Sequence, residues 1–382
     1  MKDFIKNKYI WLAALLIITE LCCKERYNLP QEVAANRYLV VEGFINGGAD
    51  STFIRLSRTA NPADSAIIQA ESGAIVSVEG EDGNSFYLNE TEKGKYAAGI
   101  LPFNNNIKYR VNITTGNGSK YVSDFVSIQR TPQIDSISWN RESNGVQIYA
   151  NTHDPQNDTR YYSWGFTETW EFHSAYISRW EYRNKKMVLR SYPDSLYTCW
   201  QSYTSPNIII GSTAKLSEDI VYLQPLTFIP QDSWKIGSRY SILVRQRALS
   251  KGAYEYFENL RKNSEQLGSI FDPQPSTSIG NIRCVNNPSE IVLGYIYSST
   301  EVEKRIFISR SEVPKWQYVF FCEEISVKNV PDSLEQAFGG GAYLPTDDVR
   351  SSVTGIIERY VGSSKSCVDC TLRGTNKRPD FW

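Results

Sequence analysis

The sequence predicts a mainly β protein, in which an N-terminal immunoglobulin-like β-sandwich is followed by a larger β-rich domain with one inserted helix. Aromatic residues make up 13% of the 382 residues, and 24 residues are Tyr. Aromatic side chains favour the half-buried surface of a pleated sheet. Short apolar runs separated by turns containing Gly, Asn or Asp recur along the chain. Apolar residues return at clear helical spacing near residues 250–267.

Residues 1–22 are predicted to be a targeting segment. Lysines give it a positive start, and the apolar stretch that follows, residues 9–18, is too short to span a bilayer comfortably. Cys22 and Cys23 come soon after it. This arrangement resembles a bacterial lipoprotein signal, in which the cysteine is diacylated and becomes the mature N-terminus. Cys23 is the favoured site because a small residue precedes it, and Cys22 is the alternative. An ordinary secretory signal or a single-span anchor is the competing interpretation.

Residues 23–36 are expected to form a tether, and residues 37–130 the immunoglobulin-like sandwich. About seven short apolar runs, separated by turn signals, are typical of such a domain. The domain holds no pair of cysteines, so it is not of the antibody type. Thr131-Pro132 marks the expected boundary, and residues 131–382 form the larger β-rich domain.

One strand of the second domain has a strict two-residue period. Its even positions from Tyr162 to Phe172 are aromatic except for Glu168, so the aromatic side chains share one face. We expect this face to fill a core, the alternative being a face that stacks on a sugar or packs a peptide. A carboxylate in its middle needs a cation, N–H donors or solvent. Glu168 is therefore a candidate binding residue, with Arg245 or Arg247 as its candidate partner.

After this strand the chain stays aromatic but loses its period as far as Trp200, which indicates a long excursion or a hairpin. Exposed aromatic side chains in such a segment suit docking onto a partner or a ligand. Tyr176, Trp180 and Tyr182 are therefore the candidate binding residues of this segment.

The predicted helix near residues 250–267 begins with Ser250 as its N-cap and ends before Gly268. Further along, three consecutive glycines at residues 339–341 predict a flexible loop.

Five cysteines lie beyond the targeting segment: Cys199, Cys284, Cys322, Cys367 and Cys370. Disulfides persist in the compartments that exported proteins reach, so all five are candidates for structural disulfides. Five is odd, so at least one should be free, although Cys23 would make a sixth if Cys22 carried the lipid. Cys367-x-x-Cys370 has the spacing of a redox motif but lies near the C-terminus of a β-rich chain and not in a βαβ unit. Structural disulfides are favoured over redox, unpaired or metal-bound cysteines.

Composition and motifs argue against several functions. The net charge is −1 and no basic stripe occurs, which argues against a nucleic-acid partner. The chain has two His, and the loop that carries His153, Asp154 and Asp158 does not match an EF-hand. No G-x-S-x-G motif, Walker loop or catalytic Ser-His pairing occurs, and Glu168 and Glu171 point to opposite faces of their strand. We expect no enzyme activity, no cofactor and no metal.

Four stretches together resemble one known family: the strand 40–43, the strand 168–172, the block 241–310, and the Cys-x-x-Cys tail that ends in Phe381-Trp382. They are similar to the Bacteroidota lipoproteins grouped as domain of unknown function 4249, and the resemblance covers nearly the whole mature chain. Genes of that family often lie beside a TonB-dependent outer-membrane receptor. The resemblance therefore implies an envelope protein that works beside such a transporter, and it implies no catalytic residues.

A short pattern, Asp-Ser followed in most cases by an aliphatic residue or Thr, resembles the O-glycosylation signal of that phylum. It occurs more often than composition predicts, at Ser51, Ser65, Ser136, Ser195 and Ser333. A sugar at such a site would lie on exposed surface, which favours export. Simple Asp-Ser turns are the alternative at some of these positions.

These observations lead to one hypothesis with two alternatives. The protein is expected to be a non-enzymatic outer-membrane lipoprotein, on the periplasmic or the cell-surface face, that assists a TonB-dependent transporter in substrate capture or gating. The first alternative is a structural or adhesive surface lipoprotein with no transporter. The second is a surface glycan hydrolase, which would need a cleft with converging carboxylates.

Overall fold

The computed structural model describes residues 37–59, 69–265, 280–314 and 321–382, and these residues are mainly β, as predicted. The targeting segment with Cys22 and Cys23, the tether and Ser65 lie outside the described residues. Within the described ranges, no helix has the length and apolar character that crossing a membrane requires.

The first sandwich opens with a run of short antiparallel strands whose inward side chains form its core. In β7, for example, Tyr109, Val111 and Ile113 are buried while their neighbours are not, as the period of a strand requires. The strands are β1 (Leu39–Asn46), β2 (Thr52–Arg58), β3 (Gln69–Ala70), β4 (Ile75–Gly80), β5 (Ser85–Glu92), β6 (Lys95–Ala98), β7 (Lys108–Thr114), β8 (Lys120–Ser123) and β9 (Val126–Gln129).

A later segment of the chain returns to complete this sandwich. Ile282, Val292 and Ile296 are buried in its core. The segment pairs with β8, β1 and β9. Its last strand, β21 (Ser298–Ser299), lies between β1 and β9, so the hydrogen-bonded order β1-β2-β6-β5-β4-β7-β9-β21 closes on itself. The expected division at residue 131 therefore differs from the structure, because residues 280–299 supply strands that pair with the first sandwich. The added strands are β19 (Ile282–Cys284), β20 (Val292–Leu293) and β21 (Ser298–Ser299).

The second sandwich consists of two sheets that pack face to face. Their shared core contains Val146, Ile148 and the even-numbered aromatic side chains of β12 (Tyr161–His173). This confirms the prediction that the aromatic face fills a core. One sheet has the order β10-β11-β17, with strands β10 (Ile134–Glu142), β11 (Gly145–His153) and β17 (Ile220–Pro230). In the other, β15 (Thr198–Thr204) and β16 (Ile209–Ser212) both pair with β12 (Tyr161–His173), which is followed by β18 (Arg239–Ala248) and β22 (Glu301–Ser309).

The helix expected near residues 250–267 is α1 (Lys251–Glu265), and the last two expected positions lie outside the described residues. The Ser250 hydroxyl accepts a hydrogen bond from the backbone N–H of Ala253 at 3.2 Å, as an N-cap does. The apolar side of α1 packs in a cluster that includes Phe44 and Tyr297 of the first sandwich. The helix therefore contributes to the contact between the two sandwiches.

A small third module, which the sequence did not reveal as a unit, packs around Trp180, Leu334, Phe338 and Tyr360. It holds two helices, whereas the sequence predicted a single helix in the chain. The first of them begins at a proline and is followed by Gly339. The module consists of the hairpin β13 (Trp180–Arg183) and β14 (Lys186–Leu189), the sheet of β23 (Glu324–Lys328), β24 (Tyr343–Arg350) and β25 (Ile357–Ser364), and the helices α2 (Pro331–Phe338) and α3 (Lys365–Val368).

Buried hydrogen bonds fix the junction between the two sandwiches. The Thr131 hydroxyl accepts from the backbone N–H of Ala248 at 2.9 Å and donates to the carbonyl of Thr300. The Gln246 amide donates to the carbonyl of Pro132 at 3.0 Å. A buried polar group that loses its partner is costly, so these bonds hold the two sandwiches in one orientation.

The first sandwich separates the junction from the start of the fold. β1 begins at Leu39, and its last residue, Asn46, pairs with Ser299 beside the junction. Eight residues of strand at ~3.3 Å each extend over roughly 26 Å. The chain therefore enters at the end of the first sandwich that lies away from the second.

Candidate functional site

Glu168, the candidate binding residue of the aromatic face, is buried in an ion pair. Its carboxylate accepts hydrogen bonds from the Lys235 ammonium at 2.6 Å and from the Tyr240 hydroxyl at 2.7 Å. Lys235 also lies 5.1 Å from the centroid of the Trp170 ring. Burial, with the adjacent carboxylate, raises the pKa of Tyr240 well above its ordinary value. The carboxylate is enclosed by its partners and offers no surface to a ligand.

Arg245 and Arg247, the candidate partners of Glu168, lie on the other face of their strand. The register pairs Glu168 with Ile242, so the even-numbered residues of β18 share its face and the arginines project away from it. Arg245 pairs with Glu303 at 2.7 Å, and Arg247 pairs with Glu301. The expectation of an arginine partner was therefore wrong.

The three candidate aromatic residues of the excursion are built into the third module. Trp180 is buried, contrary to the expectation of an exposed ring, because β13 packs against β24. The exposed apolar side chains of this segment are instead Leu189, at 69%, and Tyr192, at 78%. Each candidate donates a hydrogen bond within the module: Tyr176 to the Cys322 carbonyl at 3.0 Å, Trp180 to Asp348 at 3.0 Å, and Tyr182 to Glu335 at 2.7 Å.

Two disulfides hold the third module in place. Cys322 pairs with Cys367 inside the module, and Cys370 pairs with Cys199 of β15 in the second sandwich. Cys284 is the free cysteine of the described residues and is buried in the first sandwich. The two cysteines of the Cys-x-x-Cys motif therefore bond to different partners and do not form a dithiol pair with each other.

The glycosylation candidates within the described residues differ in accessibility. Ser51 and Ser136 are exposed, whereas Ser195 and Ser333 are half-buried. The Ser195 hydroxyl donates to the Tyr192 carbonyl at 2.7 Å, as in a simple turn. Ser51 and Ser136 are thus the positions most open to modification.

A polar crevice of about 550 Å³ lies where the two sandwiches meet, lined by the linker 129–133 and by residues of the turn 153–159. In it, His153 Nδ1 lies 2.8 Å from the Asp135 carboxylate, and this hydrogen bond raises the pKa of His153. The Asp154 carboxylate accepts three backbone N–H groups of its own turn. In the described part of the chain, no group of three or more His, Cys, Asp or Glu residues is placed to hold a metal ion.

An open surface with consistent chemistry is the outer face, by which we mean the side of the β10-β11-β17 sheet that points away from the core. Residues of β11 alternate between the core and this face. The register aligns residues of β10 and β17 beside them. The face is formed by Ser136, Ser138, Asn140, Gln147, Tyr149, Asn151, Tyr222, Pro225 and Phe228, none of which carries a formal charge.

Three aromatic rings lie along the outer face. Tyr222 is 77% exposed and Phe228 is 36% exposed, while Tyr149 is half-buried. A Cβ atom at Gly145 would approach the Phe228 ring to 2.5 Å, so the missing side chain lets this ring lie against the sheet. Phe228 pairs with Gln147, and Tyr222 lies opposite Asn151, four residues or ~13 Å further along β11.

Two amide side chains are held in fixed orientations between these rings. The Asn151 oxygen accepts the backbone N–H of Leu223 at 2.8 Å, which directs its NH₂ group to Ser136 at 3.1 Å and Ser138 at 3.0 Å. The Gln147 NH₂ group donates to the carbonyls of Ile148 and Thr227, both at 3.1 Å. Within the described ranges, the hydrogens of the two serine hydroxyls and the Gln147 oxygen are left without a protein partner.

The outer face was not predicted from the sequence. The alternation of Gln147, Tyr149 and Asn151 with apolar residues was a usable signal for one row of it. The residues that β17 contributes to the outer face could not be predicted, because the register of β17 is irregular. Tyr222 and Leu223 together lie opposite Asn151, and Leu223 has a φ of +52°, so the two-residue alternation is broken there.

These features define a two-sandwich β protein with a disulfide-linked third module and an open, uncharged sheet face. The chain belongs to the family described as domain of unknown function (DUF4249), which it matches over residues 24–305. Among curated proteins, no relative matches the sequence. Among solved structures, it is similar to the selenomethionine-substituted chicken interferon gamma receptor alpha chain, with 10% identity, coverage of 56% of this chain and 90% of that chain, and a TM-score of 0.16. A TM-score of this size carries no inference.

Proposed function

We propose that this protein is a non-enzymatic lipoprotein of a Bacteroidota outer membrane that assists a TonB-dependent transporter in substrate capture or gating. An acyl group on Cys23, with Cys22 as the alternative, holds it on the periplasmic or the cell-surface face. The lysine-led apolar segment before these cysteines supports the anchor. The two disulfides support an oxidising compartment.

One observation carries the proposal: the start of the fold and the second sandwich lie at opposite ends of the first sandwich. β1 leads from Leu39 to the junction at Asn46 and Thr131. With the lipid before residue 37, the first sandwich acts as a spacer of roughly 26 Å along this strand. The second sandwich and the third module then face away from the anchor, where a receptor or its substrate is met.

The surface that we assign to the receptor is the exposed part of the excursion. Leu189 and Tyr192 lie close together in the chain and are largely exposed on the third module, whose own core and two disulfides hold it together. Exposed apolar and aromatic side chains on a rigid element favour protein contacts.

Affinity capture from detergent-solubilised membranes tests the proposal. A tag in the exposed turn 81–84 leaves both the N-terminal cysteines and the C-terminus untouched. We expect the unmodified protein to retain a barrel receptor of the TonB-dependent class, and we expect Leu189→Ser/Tyr192→Ala to lose it. Tyr222→Ala, which changes a tyrosine of matched exposure on the second sandwich, should retain it. Failure to recover any barrel receptor, with transport intact in a deletion strain, would contradict the proposal.

A further inference from the structure

We propose that the outer face is a binding site for a neutral oligosaccharide, with Tyr149, Tyr222 and Phe228 as its stacking platform and Gln147 as an oriented polar contact. The site belongs to the second sandwich and is separate from the residues assigned to the receptor. The inference goes beyond the proposed function, because it holds whether or not a transporter is the partner.

The distribution of charge favours a neutral ligand. Charged residues make up 22% of the chain, yet all nine side chains of the outer face lack a formal charge. Charges occur at its margins, at Glu142 by the β10-β11 turn and at the pair of Asp135 and His153 by the opposite end. Nucleic acids, phospholipid head groups and acidic glycans need cations for recognition, and the nine side chains of the outer face include none.

The aromatic rings favour a ligand with flat apolar patches. A sugar ring carries C–H groups on its faces, and the electron-rich face of an aromatic ring attracts such polarised hydrogens. The ~13 Å between the rows of Phe228 and Tyr222 suits a short chain of sugars better than a single one. Pro225 pairs with Tyr149 between Phe228 and Tyr222, so the surface between these two rings is also apolar.

The polar groups favour a ligand rich in hydroxyls. The Gln147 oxygen accepts, and the hydroxyls of Ser136 and Ser138 donate, while the amide hydrogens behind them are already bonded to the protein. Alternating acceptors and donors match the hydroxyls of a sugar, which both donate and accept. Because the Asn151 and Gln147 amides are fixed before binding, little side-chain order is lost when a ligand arrives.

Calorimetric titration of the full-length protein tests the inference, in a detergent whose head group is not a sugar. The probes are cellohexaose, maltohexaose and xylohexaose, with hexagalacturonic acid as the acidic comparison. We expect at least one neutral hexasaccharide to bind and the acidic one to bind far more weakly. Tyr222→Ala should weaken binding about tenfold, the change expected for the loss of one stacked ring. Tyr192→Ala removes a tyrosine that is 78% exposed, against 77% for Tyr222, and should leave the affinity unchanged.

Several outcomes would overturn the inference. They are the absence of binding to all three neutral probes at millimolar concentration, equal binding of the acidic probe, and equal weakening in the two tyrosine variants. Gln147→Glu, which adds a charge and keeps the size of the side chain, gives a second test: it should also weaken the neutral probe if the face is the site. Binding that appears only after enzymatic removal of a glycan from Ser136 would assign the face to the chain's own sugar and reject the proposal.

Discussion

Replacing Lys235 by Met removes the cation from a buried carboxylate while keeping most of the side-chain volume. Glu168 has 2% of its side chain exposed, against 26% for Lys235, so the two partners are not equivalent. Without the lysine, the carboxylate keeps the hydrogen bond from Tyr240 but cannot reach water. Without the carboxylate charge, as in Glu168→Gln, the lysine can turn to solvent and Tyr240 still has an acceptor.

The expected cost follows from this difference. Removing one partner of a buried ion pair costs about 3–5 kcal/mol, because the remaining charge is left in a poorly polarisable interior. Because the hydrogen bond from Tyr240 survives in Lys235→Met, we expect the cost of this variant to lie near the lower end of that range, at about 3 kcal/mol. Glu168→Gln should lower the free energy of unfolding by about 1–2 kcal/mol, because it loses the charge-assisted hydrogen bond from Lys235. The double variant Glu168→Gln/Lys235→Met should have a free energy of unfolding close to that of Glu168→Gln alone.

Native-state hydrogen exchange of the β12 and β18 amides, read by mass spectrometry, measures the local free energy of opening in this sandwich. Lys262→Met is the matched control: Lys262 pairs with Glu258 at 3.2 Å on the exposed side of α1, and its loss should change stability by less than about 0.5 kcal/mol. The reasoning is refuted if Lys235→Met costs no more than this control, or no more than Glu168→Gln.

Three further predictions concern other parts of the molecule. Alkylation under denaturing, non-reducing conditions should label Cys284 and none of the four disulfide cysteines, and labelling at Cys367 would reject the pairing. The hydrogen bond from His153 to Asp135 raises the pKa of His153 in the folded protein. The pair therefore stabilises the fold fully at a pH below the unfolded-state pKa of His153, and this contribution is lost as the pH rises through the folded-state pKa. NMR titration should find the folded-state pKa of His153 lowered in Asp135→Asn. Gly43→Ala should destabilise the first sandwich by about 1–3 kcal/mol in chemical denaturation, because Gly43 has a φ of +135° and a Cβ atom would lie 2.3 Å from the Phe53 carbonyl oxygen.

Features that depend on local periodicity were predictable from the sequence. The aromatic face of β12 follows from the two-residue period alone, and its six even positions, Glu168 included, are buried. The helix α1 follows from its apolar spacing and its Ser250 cap. In both cases the signal lies within one element.

Features that depend on how distant segments meet were not predictable. Ile282 to Ser299 reads as ordinary β sequence, and nothing local says that it pairs with β1 and β8. The partner of Glu168 could not be identified because Lys235 lies between strands, in a short 3₁₀ turn, where no period constrains it. The short helix α2 was missed because eight residues give too few turns for a periodic signal.

The site was the least predictable part. Tyr176, Trp180 and Tyr182 were selected for their aromatic character, but their hydrogen bonds and packing place them inside the third module. Aromatic residues that lie open, such as Tyr222, have the same character in the sequence. Only the register of β17 against β11 distinguishes the two groups.

We propose above that a lipid-anchored sandwich holds a second, ligand-facing sandwich away from a membrane. Mass spectrometry of the N-terminal peptide, from protein isolated from the membranes of its own host, is the direct test of this anchor. We expect a peptide that begins at Cys23, or at Cys22, and carries the mass of acyl chains. An unmodified peptide that begins at Met1, recovered from the soluble fraction, would contradict it.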